Sequence, residues 1–242
     1  TSSQLSDISL INWPQNDYLG GNLTGVSEEE KQKHITSAKQ LSLSLLYWLQ
    51  TEAPRDDGGK GWSGLRLRKD IMGTSDGMAK FPYVRESRRI KALTTIFEQD
   101  CGVENRKLIL GNNKKASTAK SYNDSVGIGH YQIDLHPTSG GDNYIDFAAL
   151  PFELPLGALI PQRLNNLIAA NKNIGTTHVT NGCYRLHPVE WNIGEVAGFL
   201  AAEAIGKSEK PASIKENKNN LLLFQNKIQK AGIEIHWNKL QS

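Results

Sequence analysis

Ile35, Ala38, Leu41, Leu45, Trp48 and Leu49 recur at intervals of three and four, the spacing of one face of an α-helix. Ser27, followed by Glu30 three residues later, matches a capping box, and Pro54, Gly58 and Gly59 end the pattern, so a helix is predicted over residues 28–51. Ahead of it, Ile8, Leu10, Ile11 and Trp13 precede turn residues and predict a strand followed by a loop. Residues 81–90 and 93–97 read as extended, and the Lys- and Asn-rich residues 102–124 as a surface excursion. Over the second half of residues 125–136 the pattern alternates, with His130, Gln132, Asp134 and His136 on one face and Tyr131, Ile133 and Leu135 on the other, as in a half-buried strand. Short strands are predicted at 144–148 and 152–159, a buried strand at 167–170, a last helix around Leu221, Leu222, Phe224 and Ile228 that stops at Gly232, and a terminal strand over 233–237. The mixture is α+β.

The most informative run lies between residues 165 and 204. Its apolar strand enters a loop rich in Gly, Thr and Asn, and a helix follows with Pro188 at its first position, Glu190 and Glu195 in its first turns and Gly206 as its stop. Gly194, Ala197, Gly198, Ala201 and Ala202 give that helix a face almost without side chains. The first N–H groups of such a helix carry about half a positive charge and suit a phosphate or the electron-rich edge of a flavin. Close packing of another helix or a sheet is the alternative reading of the same face.

Residues 59–64 (GKGWSG) match the dinucleotide-binding glycine pattern literally. That pattern works when an apolar strand delivers the chain to the turn and a helix receives the pyrophosphate. Here Pro, Arg, Asp and Gly precede it and the alternating residues 65–68 follow, so no nucleotide site is expected there.

A chain of 242 residues buries enough surface to fold without disulfide staples. Its net charge of +3 and its dispersed lysines and arginines point away from nucleic acid, and it contains no apolar run of membrane-spanning length. Cys101 and Cys183 stand apart in sequence, so no disulfide is expected and a reducing, cytoplasmic location is favoured.

Several blocks, in this order, resemble the FAD-dependent oxidoreductase family: residues 85–90 (RESRRI), 125–127 (SVG), 131–136 (YQIDLH), 152–161 (FELPLGALIP) and the 165–204 run. The resemblance implies a mostly antiparallel substrate-domain sheet with flanking helices over 1–160. Over 161–242 it implies the closing strand and helix of a glutathione-reductase-like FAD-binding domain. Family members carry their glycine fingerprint near the start of the full protein, so the resemblance makes this chain a C-terminal portion lacking its N-terminal FAD-binding half. Such a portion is not expected to hold FAD tightly alone. Asn171 and Lys172 depart from the Gly-Arg or Gly-Asp of many relatives.

Carried over position by position, Gly175, Thr176, Asn181 and Gly182 form the loop near the isoalloxazine, with Pro188, Val189 and Glu190 at its pyrimidine edge. Ser125 and Gly127 approach the ring from the other side, and Lys172 meets a phosphate or the pyrimidine edge. His178, Arg185 and His187 flank this loop as candidate catalytic groups, a histidine to take a proton and Arg185 to hold a carboxylate or hydroxyl of a small polar organic substrate. A flavin-free binding module on the same scaffold is the alternative. His130 and Asp134 lie about 13 Å apart on an extended strand, too far to share a metal ion, and no metal site is expected.

Overall fold

The computed structural model describes residues 7–86, 88–111 and 119–237. Ser87 of the charged run and residues 112–118 of the expected surface excursion lie outside them. The chain forms two compact units, Thr1–Tyr83 with His136–Asn143, and Val84–Leu135 with Tyr144–Ser242. The boundary expected at residue 160 falls inside the second unit.

In the first unit, α1 (Glu28–Thr51) matches its predicted limits, and the Ser27 hydroxyl accepts the Glu30 amide at its start. The glycine pattern that follows is a turn: Gly61 N–H bonds Ala53 O, Trp62 N–H bonds Leu49 O, and no strand or helix flanks it. A short α2 (Lys69–Met72) and the Lys39–Asp76 ion pair at 2.6 Å complete this unit. Among the described residues the expected opening strand is absent. Residues 8–13 find no ladder partner, and Leu10 lies exposed.

The second unit holds α3 (Glu98–Cys101), α4 (Val103–Leu110), four strands, and the helices α5 (His178–Tyr184), α6 (His187–Lys207), α7 (Pro211–Glu216) and α8 (Lys218–Lys230). The sheet structure is antiparallel, as expected, but consists of two ribbons. β1 (Ser125–Gly129) pairs with β4 (Phe152–Pro155), and β2 (Ile133–Leu135) pairs with β3 (Ile145–Phe147). The single strand expected over 125–136 therefore breaks after Gly129, where Phe152 and Val189 press so close that an added Cβ would stand 2.4 Å from the Phe152 ring. Ile133, Asp134 and Leu135 are all buried, which removes the expected inside–outside alternation.

Phe152 of β4 stacks on Tyr184 of α5 with ring centroids 4.1 Å apart, and both are almost fully buried. Burial of one such ring contributes about 2–3 kcal/mol. Ile193, Val196 and Leu200 bring α6 to the same core, while Ile214, Phe224 and Ile228 seal it from α7 and α8.

Residues 167–170 form no strand. Ala169 N–H bonds Leu159 O, but no neighbouring segment completes a ladder. Residues 233–237 likewise form no strand among the described residues, and Ile233 N–H turns back to Ile228 O. α6 runs past Gly206 to a left-handed Ser208, whose N–H reaches the carbonyls of Ala204 and Ile205. Among the described residues, no helix is long and apolar enough to cross a membrane.

Candidate functional site

The loop expected between Gly175 and His187 folds into α5, because Thr177 and Thr180 cap each other. The Thr177 hydroxyl accepts the Thr180 amide at 3.1 Å, and the Thr180 hydroxyl accepts the Thr177 amide at 2.9 Å. Thr180 also donates to Ile96 O, fixing α5 to the segment before α3. Gly182 lies against the β2 backbone, where an added Cβ would meet Asp134 N and O at 3.1 Å. Gly175 is held closer still, its missing Cβ 2.3 Å from Thr94 O.

α6 starts with Pro188 in its first turn and no side chain capping its N-terminal amides. Beside that start lies an open cleft of about 600 Å³, walled by Ala170, Asn171, His187, Glu190, Trp191 and Gly194. The Lys172 ammonium stands 3.5 Å from Glu190 Oε1 and donates to Val84 O. Asn181 is 1% exposed; its amide donates to Lys172 O, while its Oδ1 is buried without a hydrogen-bond partner.

Of the small-residue face, Ala197 packs into the core, whereas Gly194 and Gly198 meet no close neighbour among the described residues. An added Cβ at Gly194 would stand 3.5 Å from Ala170 O, ordinary contact, and at Gly198 it would meet nothing within 4 Å. Glycine in a helix interior costs about 1 kcal/mol relative to alanine.

His178 Nδ1 lies 3.0 Å from Glu86 Oε2, and its Nε2 is buried without a hydrogen-bond partner. A carboxylate on Nδ1 fixes the tautomer that leaves Nε2 basic. Arg185 points inward. It is 5% exposed and reaches Asp134 Oδ2 at 2.9 Å, while Arg85 reaches the same oxygen at 3.0 Å. The structure thus places Arg185, expected to hold a substrate group, on the buried Asp134 carboxylate that it shares with Arg85.

His187 and Glu190 thus line the cleft beside the α6 start, Lys172 reaches it only through its ion pair with Glu190, and Pro188 is exposed on the first turn. Val189 turns away and packs on Gly129. Ser125 and Gly127 lie on the far side of α6: Ser125 donates to Ile235 O, and Gly127 packs on Asn192. Thr176 is buried with its hydroxyl unpartnered, at the edge of a second cleft. The sequence reading did not single out Glu86 as the partner of His178; only a contact 92 positions apart in the chain reveals it. Among the described residues, no group of acidic, histidine or cysteine side chains could hold a metal ion.

Burial pushes the Tyr184 hydroxyl and the Cys183 thiol well above their usual ranges, and the neighbouring Cys101 thiol adds to the effect on Cys183. Both cysteines are free.

No curated protein and no solved structure shows significant similarity to this chain. The sequence profile of the family described as FAD dependent oxidoreductase matches residues 1–230, nearly the whole length. The chain belongs to the FAD-dependent oxidoreductase family.

Proposed function

We propose that the cleft beside α6 receives the ring end of FAD and that the chain acts in flavin redox chemistry on a small polar organic substrate. The observation that carries this reading is the open cleft whose wall includes a helix glycine that no close neighbour among the described residues requires. Uncapped helix amides, the Lys172 ammonium and the orphaned Asn181 carbonyl supply donors and an acceptor that suit the polar pyrimidine edge. Gly175, Thr176 and Gly182 shape the loop behind this edge, and Pro188, Val189 and Glu190 set the first turn against it. Ser125 and Gly127 act from the inner side, by seating Asn192 and the α6 start.

When bound, the flavin takes up or gives back the substrate's hydride. The chain's own residues orient and deprotonate. His178 Nε2, with Nδ1 held by Glu86, accepts the substrate proton; His187 lies at the cleft mouth and orients a polar group; Arg185 keeps the α5–α6 turn in place through Asp134.

By family resemblance this is the C-terminal part of the enzyme, with the ADP-binding half supplied by another segment. The exposed Trp191 and Ile205 and the open space at Gly198 on α6 suit such a neighbour. Residues 167–170 are apolar enough to join its sheet as a strand.

Titration of FAD with this chain, followed by flavin fluorescence, should give weak, saturable quenching that Gly194→Leu abolishes by filling the cleft. His178→Gln should keep the quenching and remove turnover in the complete enzyme. Quenching that survives Gly194→Leu, or none at saturating protein, refutes the assignment of the cleft.

A further inference from the structure

A second cleft, of about 440 Å³, opens elsewhere on the second unit and is lined by Arg89, Ile90, Lys91, Thr95, Gln162 and Thr176. Backbone bonds hold its three walls together. Ile90 N–H reaches Asn173 O at 3.0 Å, Gln162 N–H reaches Lys91 O at 2.9 Å, and Ile96 N–H reaches Gly175 O at 2.9 Å. These contacts fix where each lining residue starts, so the cleft is built by the fold and not by chance side-chain positions.

Its chemistry is one-sided. Arg89 and Lys91 are two apart on an extended segment and therefore share a side, about 7 Å from each other. No carboxylate lines the cleft, and neither cation forms an ion pair among the described residues. Gln162 spends its amide N–H on Ala92 O at 2.8 Å, which leaves its side-chain oxygen as an acceptor. Thr176 is 6% exposed, and its hydroxyl is buried without a partner, a state that costs about 1–3 kcal/mol unless something fills it.

We propose that this cleft is a binding site for a small hydroxylated oxyanion, with its charged oxygens on Arg89, Lys91 and the Thr176 hydroxyl and a ligand hydroxyl donating to Gln162. Arginine and lysine side by side recognise carboxylate and phosphate oxygens alike, the guanidinium by paired N–H groups and the ammonium as a point charge. The adjacent acceptor selects for a neighbouring hydroxyl over a bare inorganic ion. The site goes beyond the flavin reading: none of these residues lines the cleft beside α6, and Thr176 alone also belongs to the loop behind it.

Calorimetric titration of the whole chain at constant ionic strength tests this with three probes: gluconate, glycerol phosphate and neutral glycerol. One or both anions should bind saturably, with Kd on the order of 1 mM, and glycerol should not. Binding of gluconate alone assigns the site to carboxylates, and binding of glycerol phosphate alone assigns it to phosphates. The double variant Arg89→Gln with Lys91→Gln, both surface-accessible changes that keep the fold, should abolish binding, while Thr176→Val should weaken it about tenfold. The exposed, remote Lys230→Gln should change nothing. Absence of binding by both anions, or binding that survives the double variant, overturns the proposal. Because FAD quenching is read separately, failure here leaves the α6 cleft untouched, and failure there leaves this site intact.

Discussion

Replacing Gly198 by alanine should make the chain more stable. Gly198 lies in the interior of the 21-residue α6, where glycine costs about 0.8–1.0 kcal/mol relative to alanine through lost backbone entropy. Nothing stands within 4 Å of the Cβ that alanine would add, so no clash offsets the gain. For a chain of this length, about 1 kcal/mol corresponds to roughly 2–4 °C in the unfolding midpoint. Gly194→Ala should give a similar gain, since its new Cβ would meet Ala170 O at an ordinary 3.5 Å, but that methyl enters the cleft. The two variants therefore separate stability from ligand access. Thermal unfolding followed by circular dichroism measures the first, and FAD fluorescence titration the second. Both should raise the midpoint, and Gly194→Ala alone should weaken flavin association. A lowered midpoint for Gly198→Ala means that the face is already covered and that the reasoning from open space is wrong.

Four further outcomes follow from the geometry. Asp134→Ala leaves the Arg85 and Arg185 guanidinium groups without their shared carboxylate in a mostly buried setting and should cost about 3–5 kcal/mol in chemical denaturation. Thr177→Ala removes one half of the reciprocal cap on α5 and should cost about 1–2 kcal/mol, with α5 amides losing hydrogen-exchange protection. Cys101 and Cys183 are fully buried, and burial raises the Cys183 thiol, so neither should react with a thiol reagent at neutral pH until the chain unfolds. Lys39 and the Met78 amide hold the Asp76 carboxyl at about 2, below its usual 3.8. A lowered folded-state value stabilises fully above the ordinary one and fades as pH falls from about 3.8 through about 2. Lys39→Met should flatten the stability of the first unit over that window in an acid titration.

Parts of the site were legible because their signals are local. The capped start of α1, Pro188 and Glu190 at the start of α6, and the apolar spacing of α8 each depend on residues within a few positions, and the structure places helices there. The same local logic rejected residues 59–64 as a nucleotide turn, since their neighbours could form neither flanking element. α5 was missed although its signal, a threonine followed three residues later by another, stands in the sequence; Asn and Gly within the same stretch read more strongly as turn residues.

The sequence alone determined the long helices α1, α6 and α8, the α+β mixture and the family, because helix periodicity, caps and motif order are written along the chain. The tertiary structure alone decided partners. It split the 125–136 run at Gly129, turned Asp134 inward between two arginines, set Glu86 on His178, and brought Arg89, Lys91 and Thr176 to one cleft. A strand needs a neighbour and a buried charge needs a counter-charge, and both come from residues tens of positions away that no local pattern names.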